Sequence, residues 1–481
     1  MSFDHGHKYT LQNVPQKTPL YGVTITGLKG SGVKFVRIQW VDWTNQIRLR
    51  VVPIAYFEKL LDSSRPGVTV VKCVFGMVFA ELAEGFSGVG EYLYVIDMNT
   101  IRLCPYAPGH ASVQGFFEEK SPIPGPDRQL SVSVNLCPRT ALQRIVNEAR
   151  DQAGVQYLIG FETEFILLKS TNPIEAINKH DWAVTQALPS GSLEYKVMEE
   201  ISQALIDAGI ELQMYHSEAA RGQYEVVTGP LPPLESCDAL IHTRETITNI
   251  AAKHGLRATL APRLYMDSAG SSCHTHLSIH SSAPATALPT PAPNSSLPLT
   301  QHESFFLASL LDHLPAITAF TLPQTSSYKR MMDGAWSGGT YVSWGTENRE
   351  APVRLCNAAS SSSRNFELRF IDGLANPYLT LASILGAGTL GITSQQQLKQ
   401  QDCSLLSAAE MDEAARRAAG ITTRMSLNLN ESREALTGDA ELQAILGKDL
   451  VKKYLATNET LRKHMDEGTE ADAVTRLVEN Y

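Results

Sequence analysis

Glu162 and Glu164 lie two residues apart inside the apolar run LIGFETEFILL, Leu158 to Leu168. Side chains alternate across a strand, so both carboxylates project from one face. Two like charges on a largely buried face are costly unless cations lie between them. The run is predicted as a strand over about 156–168 with its polar face lining a cation site. An exposed, salt-bridged face is the plainer reading of an isolated Glu-x-Glu, and Phe161, Phe165 and Ile166 argue against it here.

Further metal-competent side chains follow in order along the chain. Glu218 and Glu225 flank EAARGQYE, where Gly222 permits a tight reversal that brings both carboxylates to one sheet mouth. Two surface glutamates of a hairpin are the alternative. His274 and His276 are again two apart, and either one ligand with one structural partner or two ligands fits that spacing. Cys273 reads as a small buried filler rather than a thiolate ligand. Glu367 and Arg369 share one face in NFELRFIDGLANPYL, and Arg330, Arg349 and Arg354 punctuate the Gly- and Trp-rich stretch before it. Carboxylates with one imidazole suit Mg²⁺ or Mn²⁺ better than zinc. Arginine forks beside such cations are equipment for stabilising a transferring phosphoryl group. The ordered set implies a two-metal, ATP-dependent ligase.

Organisation fits that chemistry. A strand over 33–40, a turn at Asp42–Asn45 and a return strand over 47–52 open a β-rich N-terminal region. The apolar stretch from Val68 carries Lys72 and Glu81 and reads as a buried strand or helix. Gly- and Pro-rich segments near 86–90 and 121–126 break the pattern. Helix–strand alternation starts at Thr140. Helices are predicted over 140–153, 193–208, 239–253, 304–318 and 378–390, with strands near 210–216, 223–227 and 258–260. The division expected is a small β domain over 1–125 and a large α+β catalytic domain over 126–481. The Pro-, Ser- and Ala-rich segment 281–300 is expected as a solvent-exposed insertion loop. A net charge of −9 without a basic stripe argues against nucleic acid. Seven singly spaced cysteines indicate neither a disulfide framework nor a zinc ribbon. With no targeting segment or membrane span in view, a cytoplasmic protein is expected.

At these residues the chain resembles the glutamine synthetase family, over roughly 42–392. The order ExE, E…GQxE, HxH, YKR…G, NR…R, ExRF.D…NPYL is that family's own. The resemblance implies an N-terminal β-grasp domain followed by a creatine-kinase-like catalytic domain. It also implies ATP-dependent phosphorylation of the glutamate side chain, then displacement of phosphate by an amine. By resemblance, Glu164, Glu218 and Glu225 would hold one metal and Glu162, His274 and Glu367 the other. Arg330, Arg349 and Arg369 match residues that hold glutamate and the transferring phosphoryl. Arg349 and Arg354 match those reaching ATP. Ser278 falls where the family contacts nucleotide, and Gly270 belongs to the substrate loop. Asp42 matches an aspartate that a neighbouring subunit contributes as base, within a ring-shaped homo-oligomer.

Two departures matter. Members using ammonium carry a glutamate in the flap after YKR, and Trp336 stands there in this chain. An indole offers no carboxylate, but its face can take an organic cation. Ala269 replaces the asparagine that covers the glutamate backbone. The Trp-containing flap resembles the fungal FluG-type group, of which this chain would be a stand-alone relative without an amidohydrolase-like domain. γ-Glutamylpolyamine synthetases also put an aromatic at this position. The expectation is a γ-glutamyl amide ligase using an organic amine. The alternatives are a true glutamine synthetase or a catalytically silent regulatory relative, the last opposed by the complete set of ligands and arginines.

Overall fold

Two four-stranded sheets form the N-terminal part, and their pairing follows from alternating apolar residues. In a computed structural model, which describes residues 4–14, 24–125, 128–281, 299–360 and 362–481, Phe35–Val41 pairs antiparallel with Ile47–Pro53 and parallel with His110–Val113. The second sheet runs in the order Leu130–Ser133, Gly115–Pro124, Glu91–Ile96, Gly67–Val71. Trp40 and Tyr94 close on Phe117, and Phe75 bridges Phe117 to Trp43, so an aromatic cluster joins the two sheets.

Several expectations change here. The run from Val68 is neither one strand nor one helix. It divides into the strand Gly67–Val71, a 3₁₀ turn Lys72–Phe75 and a two-residue hairpin, Met77–Val78 with Glu81–Leu82. Gly76 allows this break, because a Cβ there would lie 2.1 Å from the Phe86 ring. Ser121–Pro124, expected as a breaker, continues an edge-paired strand. The sheet also crosses position 125, since Leu130–Ser133 still pairs with it.

The larger part is built on a sheet with the order Leu212–Ser217, Gln223–Thr228, Val155–Thr171, Thr275–Ser281, Asn365–Leu368, Val353–Cys356, Trp344–Thr346. All its pairings are antiparallel except the last. Helices Pro138–Ala153, Pro233–Lys253, Gln301–Thr321 and Pro377–Ser394 supply its apolar backing. The first two begin earlier than the predicted 140 and 239, because proline fits the first helical turn, where no N–H partner is needed. Gln301–Thr321 and Pro377–Ser394 approach closely, with Phe306 over Gly388 where a Cβ would sit 2.0 Å from the ring. Gln301–Thr321 is also long and apolar enough to cross a membrane, but it is buried inside the fold. Most of the expected insertion loop, 282–298, lies outside the described residues.

Candidate active site

Register decides which carboxylates meet. Glu164 stands opposite Glu225 across one strand pair, and Glu225 stands opposite His216 across the next. Glu218 follows the end of the Leu212–Ser217 strand, and Gly222 makes the reversal at φ +66°. A Cβ on Gly222 would lie 2.8 Å from the Leu167 carbonyl. His216 is thereby set 3.2 Å from Glu225 through Nε2 and 3.4 Å from Glu218 through Nδ1. Glu164 accepts from the Ser272 amide (3.0 Å), the Ser272 hydroxyl and Gln223 (2.9 Å).

A second cluster adjoins the first. His276 stands opposite Glu367, and its Nε2 is 3.0 Å from Glu162. Nδ1 of His274 lies 3.2 Å from Glu162, 3.6 Å from Glu367 and 3.7 Å from Glu164, between the two clusters. Asn365 Oδ1 lies 2.8 Å from His276 Nδ1 and orients the ring. The structure therefore brings together all six expected ligands and adds His276 and His216. Metal-competent atoms of Glu162, His276 and Glu367 lie within 4.8 Å of one another, as do those of His216, Glu218 and Glu225. His216 was missed in the sequence, where the only signal was its spacing two before Glu218.

The two clusters differ in charge. Burial opposes ionisation of Glu162, but His276 and His274 outweigh it and hold the carboxyl well below the usual range. Glu367 is held down to about 2, with Arg369 and then the two histidines overriding burial. His276 is pushed up to about 9 by Glu162 and Glu367 against its burial. His274, buried and beside Arg369, falls to about 4 and stays neutral. In the first cluster burial, then the Glu164 charge, raises Glu218 to about 7. Burial and the surrounding carboxylates push Glu225 upward as well. Carboxylates crowded in this way are relieved by a bound cation. Five carboxylates, outnumbering the three imidazoles beside them, fit hard divalent ions.

Arginines surround Glu367. Arg369 pairs with it directly and donates to the Trp336 carbonyl at 2.6 Å. Arg354 donates to Glu367 at 2.9 Å and to Glu347 at 2.6 Å. Arg330 is buried and donates to the Arg369 and Ile371 carbonyls. Among the described residues the Nε groups of Arg330, Arg354 and Arg369 are buried without a protein partner, as are those of Arg244, Arg263 and Arg433. Arg349 is not gathered with them: it lies exposed on a turn. Gly270 must be glycine, since a Cβ would meet Arg330 at 2.5 Å. Its carbonyl accepts from Gln223 at 2.9 Å. Ser278 hydrogen-bonds His280 at 2.8 Å on the strand beyond His276. Cys273 is buried beside Arg244, off the ligand face. Asp42, expected as a base toward the amine, is buried in its own turn. It accepts from Thr44 N (2.9 Å), Thr44 Oγ1 (2.8 Å) and Gln46 N (3.0 Å) on one oxygen and from Arg48 (2.8 Å) on the other.

Comparisons with known proteins agree with this geometry. The family model for the glutamine synthetase catalytic domain matches residues 135–474. The protein fluG of Emericella nidulans is 35% identical over 94% of this chain. The chain spans 49% of that protein, about half its length. Gamma-glutamylpolyamine synthetase GlnA3 of Streptomyces coelicolor is 29% identical over 89% of this chain and 90% of its own. A crystal structure of a novel glutamine synthase homolog superposes with a TM-score of 0.76 at 26% identity, covering 93% of this chain and 99% of that one.

Proposed function

Since the chain belongs to the glutamine synthetase family of ligases, we propose that it joins the side-chain carboxylate of glutamate to an organic amine at the expense of ATP. The observation that carries this reading is Trp336. Its exposed indole occupies the flap position where ammonium-using relatives hold a carboxylate, while both acidic clusters and the buried arginines are intact.

Glu164, Glu218 and Glu225 would hold one divalent ion, with His216 adjoining, and Glu162, His274 and Glu367 the other, with His276 adjoining. Bound Mg²⁺ or Mn²⁺ neutralises phosphate charge and orients the acceptor carboxylate. The chain's own residues do the rest. Arg330 and Arg369 would hold anionic substrate oxygens through charge-assisted hydrogen bonds, and Arg354 would take the ATP phosphates. The glutamate side-chain oxygen attacks the γ-phosphorus of ATP, and ADP leaves with the electrons of the β–γ P–O bond. The amine nitrogen then attacks the acyl carbon, phosphate leaves with the C–O electrons, and the proton lost from nitrogen passes to the departing phosphate. Rate enhancement comes from positioning and charge neutralisation, since no protein nucleophile is used. Arg349 is assigned to substrate as an exposed arm, and Ser278 and Gly270 to the nucleotide and substrate loops. We also assign a cytoplasmic location and a ring-shaped homo-oligomer, testable by mass measurement in solution.

The test is phosphate release from ATP with Mg²⁺ and glutamate across ammonium, ethanolamine and putrescine, with the amide identified by mass spectrometry. An organic amine is expected to outperform ammonium. A preference for ammonium overturns the acceptor assignment, and silence with every amine overturns the ligase reading. Trp336→Glu is expected to raise ammonium use relative to organic amines, roughly tenfold if one lost carboxylate contact accounts for the preference.

A further inference from the structure

Trp182 and Trp336 come from distant parts of the chain, yet their rings meet edge to face, with centroids 6.1 Å apart and planes at 77°. Trp182 is 68% exposed and Trp336 63%, so neither indole is kept for core packing. Both also hold positive φ, +55° and +51°, a region that costs a bulky residue free energy and is maintained only where surrounding structure fixes it. That fixing is visible on each side. The Trp182 amide donates to the Ala219 carbonyl at 2.7 Å, next to Glu218. Nearby, the Ser217 hydroxyl donates to the Ala183 carbonyl at 2.5 Å. The Trp336 amide donates to Glu350, while its carbonyl takes the Arg369 guanidinium. The backbones that carry the two indoles are thus tied beside Glu218 on one side and to Arg369 on the other.

We propose that Trp182 and Trp336 form an aromatic corner that holds a second, protonated nitrogen of the amine substrate, making Trp182 a specificity residue for diamines and polyamines. This rests on the ligase reading above. Two indoles at near right angles offer one face each to a cation, the arrangement suited to organic ammonium groups. The attacking nitrogen must carry a free lone pair, so it is not the cation the indoles hold. A second nitrogen some carbons away is therefore required. Trp182 acts by binding, not chemistry.

The experiment compares putrescine with butylamine, equal in carbon chain but lacking the second ammonium, in the unsubstituted protein, Trp182→Ala and Trp182→Phe. Binding is read first by quenching of tryptophan fluorescence in the presence of Mg²⁺, ADP and glutamate, so it needs no turnover. Putrescine is expected to bind more tightly than butylamine, and Trp182→Ala to reduce that preference roughly 3- to 30-fold, with Trp182→Phe retaining part of it. KM for putrescine is expected to rise alongside, with kcat less affected. Equal loss for both amines, or no loss, overturns the corner. Glutamyl hydroxamate formation with hydroxylamine in the unsubstituted protein reads the ligase separately. Hydroxamate formed while Trp182→Ala leaves the putrescine preference unchanged rejects the corner alone. Putrescine preference in binding with neither hydroxamate nor amide formed from any amine rejects the ligase reading and, with it, the assignment of the bound diamine as substrate.

Discussion

Glu162 touches both histidines of its cluster and is the residue whose charge the rest of that cluster answers. Glu162→Gln keeps the shape and removes the charge that raises His276, so cation binding and phosphoryl positioning should fail together. ATP-dependent phosphate release is expected to fall by on the order of 100-fold or more, and Mn²⁺ binding followed by electron paramagnetic resonance should lose one tight site. His313 shows the same physics away from the site. Its Nδ1 lies 2.6 Å from Asp439. Burial opposes its charge, but the Asp439 hydrogen bond and charge raise its pKa, while the same bond lowers that of Asp439 against burial. A raised histidine stabilises fully below its unfolded pKa, about 6.5, and loses that contribution as pH rises through the folded value. The lowered aspartate contributes above its unfolded pKa, about 3.9, and loses it on acidification. His313→Gln should therefore cost roughly 1–2 kcal/mol at pH 5.5 and less at pH 9, checked by urea midpoints.

Among the elements, the reversal between Leu212–Ser217 and Gln223–Thr228 has the least tolerance. Gly222 sits at φ +66°, facing the Leu167 carbonyl of the central strand. Gly222→Ala imposes both a left-handed backbone on a residue with a Cβ and a contact of 2.8 Å. A loss of about 1–3 kcal/mol is expected in urea unfolding. Ligase activity should fall further than stability, because the turn sets Glu218 against Glu225. The helix starts teach a related lesson. Pro138, Pro233 and Pro377 each open a helix within the first turn, and at the first two the start predicted from sequence fell later, at 140 and 239.

At the scale of the whole molecule, Arg139 joins the parts. It forms a two-point pair with Asp238 (3.1 and 2.8 Å) and donates to the Gly115 carbonyl at 3.0 Å, while Tyr378 donates to the same carboxylate at 2.6 Å. The N-terminal sheet and three helices of the catalytic part thus meet at one buried charge. Arg139→Ala strands Asp238 and should cost about 3–5 kcal/mol in chemical unfolding. Arg139→Lys should restore little, because a single ammonium cannot reproduce the fork.

The sequence alone determined what depends on periodicity. Residues two apart share a strand face, so Glu162 with Glu164, His274 with His276 and Glu367 with Arg369 were legible as pairs, and their order identified the family. It could not determine what depends on strand register and on contacts between distant segments. His216 joins the carboxylates only because it stands across from Glu225. Asp42 is enclosed by donors of its own turn, and Arg349 is left exposed while Arg330 and Arg369 are buried. The meeting of Trp182 with Trp336 is likewise written in no local pattern. Register and long-range packing are set by the burial of whole sheet and helix faces at once, which is why only the tertiary structure decided them.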